Sequence, residues 1–287
     1  MNGVGTAQPL GTEPTPPAER AGSEPPARTA AMHHPRREAL LAFLGYLGVS
    51  ILLWGLTVLG RMSMTYVGDG QGDAKIYIWS LAWWPHALAA GLDPFTARAI
   101  WAPHGIDLAW VTSVPGPALA AWPITALFGP VVASNVWALL APALAAWAAY
   151  LVCRRVTGRL WPAIAGGYLF GFSTYMAGQM RGHMNLFLVF PVPLAVYLVL
   201  RRMDGSLGRG AFVGLMAATL VGQFTISTEV FASSVVFGGV ALLGTYVFGP
   251  SDVRPALRDT ARLLLIAGGV AAVVLGPFIY LRHRWLG

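Results

Sequence analysis

The stretch VVASNVWALLAPALAAWAAYLVC, residues 131–153, followed at once by Arg154-Arg155, decides the fold. It is uncharged until the two arginines close it. About 20 apolar residues in helix cross the hydrocarbon core of a bilayer, and arginines at the end of such a helix mark its cytoplasmic side. Six further runs outward from it have the same character, at about 39–60, 160–178, 185–200, 210–228, 230–249 and 262–281. Gly and Pro recur inside them, as in Gly166-Gly167, Pro191, Pro193, Gly268-Gly269 and Pro277. Membrane helices accept this, because small residues let neighbours approach closely. The expected fold is therefore an all-α polytopic membrane protein with about seven transmembrane helices.

Composition agrees with that reading. The chain has 287 residues, of which 56% are hydrophobic and 11% charged, with a mean hydropathy of +0.60. A soluble domain carries about 25% charged residues. Basic residues outnumber acidic ones, 19 to 12, for a net charge of +7, and all but Lys75 are arginine. They cluster between apolar runs, as loops against an anionic membrane face do. No basic stripe on a soluble fold is present, so nucleic acid is not an expected partner. The lone cysteine, Cys153, excludes an internal disulfide and any Cys-based metal spacing.

Charge placement also sets an orientation. With seven spans and the N-terminus inside, the cytoplasmic segments hold Arg36-Arg37, then Arg154, Arg155 and Arg159, then Arg201, Arg202 and Arg209, then Arg254, Arg258 and Arg262. Every cytoplasmic turn is positive, as an inner-membrane protein requires. The terminal Arg282-His283-Arg284 falls outside in this topology, against the rule. Residues 115–129 are apolar but short and broken by Pro117 and Pro123, which suits a re-entrant or interfacial segment. Counting them as a span would export most of the arginines. Residues 1–37 are Pro-, Gly- and Ala-rich without periodicity and read as a disordered cytoplasmic tail, with Met32 as an alternative start. Residues 38–287 form the membrane domain.

The outer face then carries a loop over about 61–130, a turn at 179–185 and a turn at Thr228-Glu229. The loop opens with Gly68-Asp69-Gly70-Gln71-Gly72-Asp73-Ala74-Lys75-Ile76-Tyr77, whose glycines allow sharp turns and close approach to a ligand. Asp73 is expected to cap an interfacial helix over about 74–90, rich in Trp79, Trp83 and Trp84 and broken near Pro85. Asp69 and Asp73 are the catalytic candidates. A carboxylate there could take a proton from an acceptor hydroxyl or hold a divalent cation. The plainer readings are a helix cap for Asp73 and a solvated turn for Asp69. The tryptophans read as an interface belt or as stacking surfaces for a sugar or an isoprenoid. His104 and His86 have no ligand-spaced partner, so no metal site is assigned, and His104 stays as a substrate-binding candidate.

In the second turn, Arg181 suits a phosphate, His183 a proton, and Asn185 completes a polar group. Glu229, inside a nearly unbroken apolar region, needs a cation or a cavity, and Arg181 is its expected partner. Gly-rich phosphate loops, HExxH and GxSxG are absent from the sequence.

These residues resemble the GT-C superfamily of membrane glycosyltransferases, of the protein-mannosyltransferase and aminoarabinose-transferase type, over roughly residues 39–230. The likeness is carried by Asp73 with Tyr77 in the first outer loop, the surface helix ending in Gly91, the segment Pro123-Ile124-Thr125-Ala126-Leu127-Phe128-Gly129, and Ala148-Ala149-Tyr150-Leu151 before Arg154-Arg155-Val156-Thr157-Gly158. It implies an inverting enzyme that takes a sugar from a polyprenyl-phosphate carrier, with membrane lipid around it. It assigns the loop carboxylate to Asp73 before Asp69. The family's usual acidic residue in the second turn is His183 here, and its chains run longer, so the sequence reads as the N-terminal part of such an enzyme. A transporter or lipid flippase, and a non-catalytic membrane subunit, are the alternatives.

Overall fold

The computed structural model describes residues 1–3, 5, 35–68, 70, 73–108 and 111–283. Most of the tail, Asp69 and Arg284 lie outside the described residues. The rest is all-helical apart from one two-stranded hairpin. The first helix, α1, runs Pro35–Leu53 and so begins inside the expected tail. It continues after a 44° bend through two short 3-10 turns, Gly55–Thr57 and Leu59–Arg61. Next come α2 (Ala74–Ala89), the strands β1 (Thr96–Ala97) and β2 (Ile106–Asp107), then α3 (Pro115–Ala120) and α4 (Trp122–Phe128). The remaining helices are α5 (Pro130–Thr157), α6 (Leu160–Gly171), α7 (Thr174–Gln179), α8 (Met184–Phe187), α9 (Pro191–Met203), α10 (Arg209–Ile226), α11 (Thr228–Phe248) and α12 (Arg254–His283).

Five segments are long and apolar enough to cross a membrane: α5, Met184–Met203, α10, α11 and Ser251–Tyr280. The bent pair at α1 makes a sixth. The expected seventh, 160–178, is not one helix. Gly171 ends α6, and Ser173 starts α7 by accepting the Met176 N–H with its hydroxyl. A serine cap satisfies the free amides of a new helix start, so the chain turns there. α11 gives the plainest sign of lipid: it is apolar on every side, and none of its residues is fully buried. A helix of that kind needs an apolar surrounding.

α5 is the central post. Gly129 and Pro130 open it, Gly158 closes it in the left-handed region (φ 65°), and Arg154 and Arg155 complement its C-terminal dipole. α6 lies close against it because Gly167 and Gly171 are placed one turn apart at the contact. A Cβ on Gly171 would stand 2.5 Å from both the Ala146 Cβ and the Pro142 carbonyl oxygen. Small residues thus set the spacing of this pair.

Charge gathers at one end of the bundle. Glu38 of α1 pairs with Arg154 at 3.1 Å, and Arg155 pairs with Asp204 at the end of α9. Arg202 and Arg209 both reach Asp259 near the start of α12, at 2.7 and 3.1 Å. These pairs tie together the ends of α5 and α9 and the beginnings of α1, α10 and α12.

The other end is built from α2, the hairpin and the α3–α4 segment. α2 differs from an interfacial helix. Tyr77, Leu81, Trp83, Trp84 and Ala87 are buried in the main core cluster. It also runs unbroken through Pro85, which is itself buried. Trp83 donates to the Pro94 carbonyl at 2.8 Å and Trp84 to the Ser113 hydroxyl at 3.2 Å. These two tryptophans are core residues, each with its indole N–H satisfied, whereas Trp101 is exposed. Residues 115–129 form two short helices split at Ala121.

Candidate functional site

Four elements meet at the end of the bundle opposite the ion pairs of Arg154, Arg155, Arg202 and Arg209. Asp73 occupies the position before α2, and its carbonyl accepts the Ile76 and Tyr77 N–H groups. Its side chain makes no cap hydrogen bond, contrary to the expected cap, and it is exposed. One turn on, Tyr77 points inward and is 4% exposed. Its hydroxyl donates to Asn185 Oδ1 at 2.6 Å, across 108 residues of sequence. Asn185 Nδ2 in turn donates to Glu229 Oε2 at 3.4 Å, and the Ser227 hydroxyl donates to the same oxygen at 2.8 Å.

Each member is held by local chemistry. Ser227 is extended (φ −155°, ψ 115°), which ends α10 and starts α11, and its hydroxyl accepts the Val230 N–H. Glu229 therefore sits in the first turn of α11, where the helix dipole favours a carboxylate. Asn185 lies in α8, a four-residue helix after the Gly182-His183 turn. Burial pushes the Tyr77 phenol well above its ordinary acidity range, and the Asp73 and Glu229 carboxylates push it further. Tyr77 is thus a protonated donor, flanked by two carboxylates close enough to act on it.

The loop after α1 is hung from α5 by one side chain. Asn135 is fully buried; its Oδ1 accepts the Val67 N–H at 2.9 Å, and its Nδ2 donates to the Met62 and Thr65 carbonyls at 2.9 and 2.8 Å. Gly68 then passes so near the second turn that a Cβ there would stand 3.0 Å from the Arg181 carbonyl oxygen. With φ at 139°, Gly68 also occupies a backbone region that side chains rarely adopt.

The sequence candidates divide accordingly. Tyr77, Asn185 and Glu229 are joined by hydrogen bonds, and Asp73 is beside them. Arg181 is exposed on the same turn, and Glu229 accepts hydrogen bonds from two neutral donors, Ser227 and Asn185. His183 is half-buried, and its Nδ1 is buried without a partner. His104 is exposed in the hairpin loop, apart from this chain of bonds. Asp69 lies outside the described residues.

Sequence reasoning missed Ser227 as a member and Asn135 as the anchor. A lone Asn inside an otherwise apolar span was the available signal. It also missed Gln223, one turn before Ser227, whose amide is buried with both polar atoms unpartnered. Four residues beyond Asn185, Val189 joins Leu169, Phe170, Ser173, Tyr175 and Val192 around an apolar cavity of about 310 Å³. Among the described residues no three His, Cys, Asp or Glu side chains group closely enough to hold a metal ion.

Fold and site together define a helical membrane protein with a hydrogen-bond chain from buried Tyr77 and Asn185 to exposed Glu229, at the end opposite its ion-paired arginines. The chain belongs to the family described as Domain of unknown function (DUF6311), which matches residues 42–284. That match begins within α1 and takes in every later helix. No curated protein and no solved structure matches the chain.

Proposed function

We propose that this protein is a membrane glycosyltransferase of the GT-C type, which moves a sugar from a polyprenyl-phosphate carrier to an acceptor on the extracytoplasmic face of the inner membrane. One observation carries the reading. Asp73, Tyr77, Asn185 and Glu229, drawn from three distant parts of the chain, meet at the end of the bundle away from the arginine-bearing turns. Under the positive-inside rule that end faces outward.

The chemistry follows from the groups present. Asp73 is exposed and takes the proton of the acceptor hydroxyl as that oxygen attacks the anomeric carbon. The bond from that carbon to the carrier's phosphate oxygen breaks, and the phosphate leaves with the electron pair. Positive charge beside the departing phosphate lowers the barrier; Arg181, exposed on the neighbouring turn, is the assigned donor. Tyr77 and Asn185 fix Glu229, which then holds a sugar hydroxyl. The apolar cavity beside α8 suits the carrier's hydrocarbon chain.

The test is Asp73→Asn in membranes, with sugar transfer from a polyprenyl-phosphate donor as the readout and helix content as the folding check. A general base of this kind contributes about 10²–10⁴-fold, so transfer should fall at least about 100-fold. Unchanged transfer would remove Asp73 from the role.

Interrupted helices favour a second reading, a transporter or lipid flippase. The breaks at Phe172-Ser173 and at Leu188–Phe190 both border the apolar cavity. Movement of a labelled lipid-linked sugar across vesicles, with no transfer to acceptor, would select it.

A further inference from the structure

We infer that the groove between α1 and α6 holds one acyl chain of an anionic phospholipid, with its phosphate on Arg36, Arg37 and Arg159. Both helices pack on α5 and meet each other at Tyr46, with a cavity of about 570 Å³ between them. Leu41, Gly45 and Val49 line one wall, and Trp161, Ile164 and Tyr168 the other. Their spacings, four residues apart on α1 and three or four on α6, place each set on one helix face.

The groove contains no unspent polar chemistry. The Tyr46 hydroxyl donates to the Ile164 carbonyl at 2.8 Å. Glu38, at one end, is ion-paired with Arg154 at 3.1 Å. Gly45 leaves open space where a side chain would stand, since nothing lies within 4 Å of an added Cβ. The wall from Glu38 to Val49 spans roughly 16 Å of helix, long enough for most of an acyl chain.

Charge at the mouth selects the headgroup. Arg37 directly precedes Glu38, and Arg159 directly precedes Leu160, both groove residues. Arg36, Arg37 and Arg159 are all exposed and stand in the first turn of α1 and just before α6, at the level where an inserted lipid carries its phosphate. Basic residues between membrane helices on one side of a bilayer recognise anionic headgroups in this way. Trp161, 77% exposed at the rim, has the amphipathic ring that sits at headgroup level. The site lies at the arginine end, away from the Tyr77–Asn185–Glu229 chain, and stands independently of the proposed catalysis.

The test uses the full chain in detergent, stripped of native lipid and titrated with dioleoylphosphatidylglycerol or dioleoylphosphatidylcholine. Native mass spectrometry counts bound lipid. One phosphatidylglycerol should bind with a preference of at least about tenfold, since each arginine reaching the phosphate contributes about fivefold. Combined Arg36→Ala, Arg37→Ala and Arg159→Ala should abolish the preference. Gly45→Phe should reduce binding of both lipids by filling the groove; if it fails to fold, Ala165→Phe on the facing wall replaces it. Equal binding of the two lipids, a preference surviving loss of the arginines, undiminished binding in the filled variant, or displacement by inorganic phosphate alone would overturn the assignment.

Discussion

Replacing Tyr77 by Phe removes one oxygen from the middle of the polar chain. Asn185 is 5% exposed and accepts from that hydroxyl at 2.6 Å, so its carbonyl oxygen is left buried without a donor. Stranding an acceptor in this way costs about 1–3 kcal/mol. Asn185→Leu strands the phenol instead and also releases the longer bond to Glu229. In the double variant neither stranded group is present, and two apolar side chains meet. The combined loss should therefore fall short of the sum of the single losses by about 1 kcal/mol. Thermal unfolding of the purified full chain in nanodiscs measures all three variants, at about 2–4 °C per kcal/mol for a domain of this size. Tyr77→Phe alone should lower the midpoint by about 2–12 °C. If the two single losses simply add to within about 0.3–0.5 kcal/mol, Tyr77 and Asn185 are not coupled and the chain of bonds is not a unit.

Two further outcomes follow from geometry on α5. Gly171→Ala should cost about 1–3 kcal/mol by overpacking, because its Cβ meets the Pro142 carbonyl oxygen, backbone that cannot swing aside. The matched control Gly178→Ala, with open space around it, should unfold like the parent in the same melt. Asn135→Leu should open the segment 62–68 to protease under conditions where the parent resists. It breaks three hydrogen bonds that no neighbouring side chain replaces; equal cleavage of the two would show that the loop is held elsewhere.

Much of this arrangement was readable in advance, because hydropathy and arginine placement are strong one-dimensional signals. The arginine turns do gather at one end, and Asp73, Tyr77, Asn185 and Glu229 lie together at the other. The specific pairings were not readable. Charge alone pointed Glu229 to Arg181 and gave no sign of its two neutral donors, Ser227 and Asn185. The break in 160–178 was hidden because an apolar average passes over a single capping serine. Pro85 promised a break in α2, but the helix continues through it, with Trp83, Trp84, Pro85 and Ala87 all buried. Tryptophan content could not separate a lipid-facing belt from a core, since Trp83 and Trp84 differ from Trp101 only in what folds over them.

The placement of Glu229 on α11 has a mechanical consequence. None of that helix's residues is fully buried, and its first turn is joined to Asn185 through one carboxylate, so a shift of that turn would be felt first at Asn185.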